Sequence, residues 1–168
     1  MRKKLIRVLI LIVIVCGYVY FNLKLSAVYY AQHTPHKERV EPVLMELVDS
    51  LYWAATPDIE GISYDYDGGN AIYNCNFKEE DIPLFESRNG LEYAYYTPNS
   101  LTFVFNDRFQ LVRVYNDKTN SLESTDVDVN AIKRGIYKVV QPVIDAQHKP
   151  LLLNLQWLYD LLNKDRFN

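Results

Sequence analysis

The chain has 168 residues and only two cysteines, Cys16 and Cys75, which fall in segments of different character. With one cysteine outside the first 31 residues, an internal disulfide framework is excluded, and any folded domain must hold by packing alone. Cys75 is therefore expected to be buried rather than to serve as a thiol nucleophile, which needs an activating base in reach. No Asn-x-Ser/Thr acceptor occurs, so no glycosylation signal points to a eukaryotic secretory route. Gly-x-Ser-x-Gly, a phosphate-binding Gly-rich loop, His-Glu-x-x-His and Cys-x-x-Cys are all missing. The familiar hydrolase, nucleotide-binding, zinc-protease and redox motifs thus leave no trace.

Acids are missing from residues 1–31, which hold five Lys/Arg. The remainder carries 13 basic and 21 acidic residues, a formal charge of −8. An acidic domain argues against nucleic acid as a partner. Within the basic segment, Val8, Leu9, Ile10, Leu11, Ile12, Val13, Ile14 and Val15 form an unbroken apolar run that extends through Tyr18 to Phe21 without a charge. Leu5 to Leu25 reaches the roughly 17–25 residues needed to cross a bilayer. Arg7 and Lys24 lie near its ends, where long basic side chains reach the headgroups. Tyr18, Tyr20, Phe21, Tyr29 and Tyr30 cluster at the distal end, as an aromatic belt does.

The positive-inside rule puts Met1 in the cytoplasm and the bulk of the chain on the far side. A cleavable signal is the competing reading, with a cut after Ala27, but Leu25 occupies a position where a small residue is wanted. A lipoprotein signal at Cys16 is disfavoured by the bulky Val15 and by the apolar run that continues past the cysteine. The preferred reading is an uncleaved single-pass anchor over residues 1–31 and one extracytoplasmic domain over residues 32–168, in a bacterial inner membrane facing the periplasm.

The domain reads as α+β. Apolar residues at Val40, Val43, Leu44, Leu47, Val48, Leu51, Tyr52 and Ala55 have helical spacing, with Glu38, Glu41, Glu46 and Asp49 off the stripe. Thr34-Pro35 is a fair helix start, although Pro42 makes a start near Glu41 the alternative. From Ile59 the period changes to two. Ile62, Tyr64 and Tyr66, then Gly68-Gly69, then Tyr73, Cys75 and Phe77 spell a β-hairpin. Ile82 to Gly90 reads as irregular. Further strands are expected at Leu91–Thr97, Leu101–Phe105 and Phe109–Tyr115. A three-residue loop would pair Phe105 with Phe109. Asn116 to Thr125 reads as a polar loop. The expectation is an N-terminal transmembrane helix, a helix packed on an antiparallel sheet of about five strands, and two C-terminal helices. The first of these runs from Val129 to Ile144, capped by Asp126 or Asp128. The second is the leucine-rich stretch Leu151–Leu162, apolar around most of its circumference.

Candidate sites are few. Asp65-Tyr66-Asp67-Gly68-Gly69-Asn70 resembles the opening of a calcium loop but has no glutamate at the twelfth position, so a tight polar turn is the better reading. His33 and His36 read as solvated junction residues. Glu79-Glu80 and the Asp126/Asp128 pair read as surface charge, because acid–base catalysis needs a defined spacing in a cleft. No catalytic residue, cofactor or metal is expected. Tyr93, Tyr95 and Tyr96 place rings on both faces of one strand, and Trp157 lies in the leucine-rich helix. Since aromatic side chains dominate interface energetics, these four are the candidate partner-binding residues. The function expected is a non-catalytic, membrane-anchored envelope protein that binds another protein, such as an accessory subunit or an immunity-type protein. An anchored small-ligand binder or sensor is the alternative, and an unrecognised hydrolase a more distant one.

Overall fold

The computed structural model describes residues 2–50, 56, 58–65, 70–74, 84–88 and 90–168. Its elements run α1 (Arg2–Leu25), α2 (Ala27–Ala31), α3 (Pro42–Asp49), seven strands, α4 (Val129–Asp145) and α5 (Gln156–Phe167). The strands are β1 (Ile62–Asp65), β2 (Ala71–Asn74), β3 (Phe85–Arg88), β4 (Glu92–Tyr96), β5 (Leu101–Asn106), β6 (Leu111–Asn116) and β7 (Ser121–Glu123). They form one antiparallel meander in chain order. The α+β architecture is the expected one: an apolar N-terminal helix, a helix on an antiparallel sheet, and two C-terminal helices. Among the described residues the sheet has seven strands, where about five were expected.

The two additional strands are short and polar. β3 reads Phe-Glu-Ser-Arg and is followed by Gly90, whose φ of +67° suits the turn into β4. It pairs Phe85 with Tyr95 and Ser87 with Tyr93, so β4 specifies it more than its own sequence does. β7 is three residues long and lies against the end of β6. The β1–β2 hairpin is present, with Ile62 opposite Asn74 and Asp65 opposite Ala71. Tyr66, Gly68, Gly69, Cys75 and Phe77 lie outside the described residues, as do Leu51, Tyr52 and Ala55.

The β5–β6 connection corrects the expected register. Phe105 pairs with Leu111 and Phe103 with Val114, with an irregularity between Val104 and Phe105. Asn106 closes a longer loop. Its N–H donates to the Gln110 carbonyl at 2.9 Å, and its Oδ1 accepts from the amides of Arg108 and Gln110. Phe109 therefore lies in the turn, left-handed at φ +59°, and is completely buried. Its ring still stacks on Phe105, centroid to centroid at 4.6 Å, and touches Tyr93 at 5.3 Å and Phe85 at 6.0 Å. The anticipated aromatic contact exists, reached by folding a loop back rather than by strand pairing.

The core lies between the sheet and the helices. Phe85, Tyr93, Tyr95, Phe103, Phe105 and Val114 share it with Leu44, Leu47 and Val48 of α3 and Ile136, Val140 and Val143 of α4. Of the two starts considered, the helix takes the one near Glu41 and not Thr34: it begins at Pro42, where proline's fixed φ and missing N–H suit the first helical position. Thr34 is buried, and its hydroxyl donates toward Tyr30 O and Asp160 Oδ1. α4 is capped by Asp128, which accepts from the Ala131 amide at 3.0 Å. Lys133 of α4 is buried against Glu41 Oε1 at 2.9 Å and lies over the Phe109 ring.

Leu151–Leu162 is not one helix. Leu151 to Leu155 form an irregular turn with Leu152 at φ +61°, and α5 starts at Gln156 and continues to Phe167. The backbone of the turn is held by partners elsewhere in the chain, which removes it from the helical register.

Candidate functional site

Lys3–Leu25 is long and apolar enough to cross a membrane, and it is the one such helix among the described residues. Val8 to Val15 and Phe21 are exposed along it, as lipid-facing side chains would be. The distal end is different. Asn22 is only 6% exposed, and Ser26, Ala27, Val28, Tyr30 and Ala31 are buried against the domain that α3 and α5 belong to. Val19 and Leu23 pack on the same core. The helix thus enters the domain without a free linker.

Hydrogen bonds fix this junction. Asn22 Oδ1 accepts from the Tyr30 hydroxyl at 2.6 Å, and that hydroxyl accepts from the Leu155 amide at 3.0 Å. Asn22 Nδ2 donates toward Tyr18 Oη at 3.0 Å and the carbonyls of Leu153 at 3.1 Å and Leu151 at 3.2 Å. The Tyr18 hydroxyl donates to the Leu151 carbonyl and accepts from the Leu153 amide at 3.1 Å. Gln156, at the start of α5, donates to Tyr30 O at 2.9 Å, while Tyr159 stacks on Tyr30.

Beside the junction lies a crevice of about 870 Å³, lined by side chains from the end of α1, from α3, from the β3–β4 hairpin and from α5. Glu46 and Asp49 project from one face of α3, three residues apart. The Arg166 guanidinium bridges them, with Nη1 on Glu46 and Nη2 on Asp49. Asp49 also accepts from Ser87 and from the Tyr93 hydroxyl, and Glu46 accepts from Ser50. Burial opposes the charge on Arg166, yet the two carboxylates outweigh it and raise its pKa. The Tyr159 hydroxyl is buried near Glu46, with no hydrogen bond of good geometry among the described residues. Its pKa is raised by burial and then by the Glu46 charge.

The four candidate partner-binding residues do not share a surface. Tyr93 and Tyr95 are buried in the core, 1% and 8% exposed, on the helix-covered face of β4. Tyr96 points to the opposite face, where its hydroxyl donates to Glu86 at 2.6 Å and accepts from Arg88 at 2.7 Å. Trp157 stands alone among the four in being open, at 66% exposure, on α5 with Leu161 one turn further on. Among the described residues no group of three or more His, Cys, Asp and Glu side chains could hold a metal ion. His33 and His36 are exposed and bond to nearby carbonyls of Tyr29 and Thr34.

Sequence reasoning passed over Glu46, Asp49, Tyr159 and Arg166. Glu46 reads as lying off the apolar stripe, but it is buried because α5 returns across α3 and brings Arg166 with it. Asn22 carried a signal, being a carboxamide inside an apolar run.

The buried tyrosines set the alkaline behaviour. Burial, then Glu86, pushes Tyr96 up to about 12, with Arg88 opposing. Burial also raises Tyr93 and Tyr137, helped by Asp49 and Glu41. A folded-state pKa above the unfolded value favours the native state fully below about pH 10, and that contribution is lost as pH climbs through the folded value. Stability is expected to fall between about pH 10 and pH 12, with phenolate absorbance appearing late and together with unfolding. Titration of all tyrosines near their ordinary value, with the fold intact, would contradict this arrangement.

The chain matches no protein-family model, no curated protein and no solved structure.

Proposed function

We propose that this is a membrane-anchored domain of the bacterial cell envelope that binds another protein, with its N-terminus cytoplasmic and its α+β domain periplasmic. The observation carrying this reading is the junction. A cut after Ala27 would fall in a buried segment and remove Asn22, which holds Tyr30 and the Leu151–Leu153 turn. The domain therefore needs its anchor, which supports retention over cleavage. The basic residues at one end of the span and the acidic domain at the other support the orientation. Tethering confines the domain to one surface and raises its effective concentration toward membrane-bound partners.

With Tyr93 and Tyr95 occupied in the core, the partner contact moves to the exposed row Trp157 and Leu161 of α5. Trp157→Ala is expected to weaken a complex extracted in mild detergent without lowering thermal stability, because the ring is largely exposed. An aromatic hot spot of about 2 kcal/mol corresponds to roughly a thirtyfold loss of affinity. Recovery of the wild-type protein solely as a monomer under gentle extraction contradicts the reading. So does an inactive alkaline phosphatase reporter fused after Asn168, which would put the domain in the cytoplasm.

A second reading, an anchored binder of a small polar molecule, is favoured by one observation: Tyr159, whose buried hydroxyl has no well-formed hydrogen bond among the described residues, lines the crevice with Arg166, Glu46 and Asp49. A thermal shift with a ligand that is abolished by Tyr159→Phe would favour it over protein binding.

A further inference from the structure

We infer that the Leu151–Leu153 turn is a second membrane contact, inserted into the lipid of the leaflet through which α1 leaves the bilayer. The inference rests on the reading of α1 as a membrane span and adds to it a lipid-embedded element of the domain. Three consecutive leucines are exposed here, at 72%, 95% and 58%. Their backbone is bonded to Tyr18 and Asn22, residues inside the span. At roughly 1.5 Å per helical residue, Tyr18 and Asn22 lie about 10 Å and 4 Å short of Leu25. The turn is therefore tied to the span at the level of acyl chains and headgroup boundary, not in water.

Part of the turn's polar backbone is matched by the span itself. Non-helical backbone within a bilayer persists only where its polar groups find partners inside the protein. Tyr18 satisfies the Leu151 carbonyl and the Leu153 amide, Asn22 reaches the Leu153 carbonyl, and Leu153 N–H also approaches Leu151 O at 2.7 Å, while the N–H and carbonyl of Leu152 have no partner among the described residues. This explains why a tyrosine and an asparagine stand in an otherwise apolar helix. Leu152 adopts a left-handed backbone, unfavourable for a residue with a Cβ, while its side chain stays open to the surroundings. Strain held in order to expose a leucine is consistent with an apolar solvent on that side. Exposed Lys149 precedes the turn, where its long stem can carry the ammonium to the headgroups. Continuity with the span makes lipid, rather than a second protein, the occupant.

The test uses the full chain reconstituted in vesicles of phosphatidylethanolamine and phosphatidylglycerol. Leu152→Cys is compared with Lys118→Cys, at an exposed position beyond β6, and with the parent chain as the baseline for Cys16 and Cys75. The probe is a water-soluble, membrane-impermeant maleimide. The thiol introduced by Leu152→Cys is expected to react about tenfold more slowly than the one introduced by Lys118→Cys, or slower still, since an apolar medium withdraws thiolate as well as reagent. A nitroxide attached through Leu152→Cys is expected to collide more with oxygen, which concentrates in acyl chains, than with a water-soluble nickel chelate. Equal reactivity of the two variants in vesicles, with the protein resisting alkaline carbonate extraction, overturns the turn's insertion and leaves the anchor standing. Release of the chain by carbonate overturns the anchor itself. Protection in native membranes but fast reaction in the pure lipid vesicles also overturns the inference, because a protein would then be covering the turn.

Discussion

Replacing Arg166 by alanine is expected to cost the domain a large share of its stability. The guanidinium spans two carboxylates, and their side chains are only 4% and 16% exposed for Glu46 and Asp49. Removing it leaves two like charges close together on α3 with no cation between them. Ser50, Ser87 and Tyr93 would still donate hydrogen bonds, but these neutral donors do not cancel two buried charges. Breaking one side of a buried ion pair costs about 3–5 kcal/mol. Arg166 is itself 31% exposed, so water screens part of the interaction and the lower end of that range applies. Against a total stability of roughly 5–15 kcal/mol, a loss of about 3 kcal/mol is between about a fifth and three fifths of the whole. Urea denaturation of the full chain in detergent, followed by circular dichroism, measures it. Arg166→Lys should recover only part of the loss, because an ammonium is a point charge and cannot span both carboxylates as a planar fork does. A change below about 1 kcal/mol for Arg166→Ala would mean that the triad is solvated and carries little of the fold.

This triad also marks where the sequence stopped being informative. Elements with a strong period could be read: the apolar span, the β1–β2 hairpin, β4 and β5, and α4 with its Asp128 cap. Each is specified by local spacing and local chemistry. What could not be read depends on contacts distant in the chain. β3 is four residues with one large apolar side chain, and it becomes a strand because β4 offers Tyr93 and Tyr95 as partners for Ser87 and Phe85. Leu151–Leu155 has strong helix formers, yet bonds from Tyr18, Asn22 and Tyr30 capture its backbone and delay α5 to Gln156. Phe109 looks like a strand residue, but Asn106 builds a loop around it and turns its ring into the core. The tyrosines of β4 were legible as alternating, and the face that Tyr93 and Tyr95 share proved to be the one covered by helices. Arg166 is 120 residues from Glu46 and 117 from Asp49, and no spacing rule connects a cation on α5 to two acids on α3.

Asn22→Leu should act in opposite directions on the two roles of α1. As the proposed membrane segment the helix becomes more apolar, and its insertion is expected to be unimpaired or improved. As part of the fold it loses the one side chain that joins the span, Tyr30 and the leucine turn. The buried Tyr30 hydroxyl loses its acceptor, and the Leu153 carbonyl loses its donor. The buried Tyr30 hydroxyl left unmatched costs about 1–3 kcal/mol, and the carbonyl of the exposed Leu153 adds less. At about 1.4 kcal/mol per tenfold, that is on the order of a thirtyfold rise in the population of the opened junction. Hydrogen exchange at the Leu155 amide, which donates to Tyr30 Oη, reads the opening directly, and protease cutting near residues 148–155 reads it independently. The sheet amides of β4 and β5 should keep most of their protection, because the core does not depend on Asn22 for its aromatic packing. Tyr18→Phe removes just the hydroxyl shared by Leu151 and Leu153 and should open the turn less. Unchanged exchange at Leu155 in Asn22→Leu would show that the anchor and domain are joined by apolar packing alone. The expected result separates two properties that a single helix combines. On the proposed reading, the variant stays in the membrane, its domain is no longer held at a fixed angle to the bilayer, and a partner that requires that orientation is lost with it.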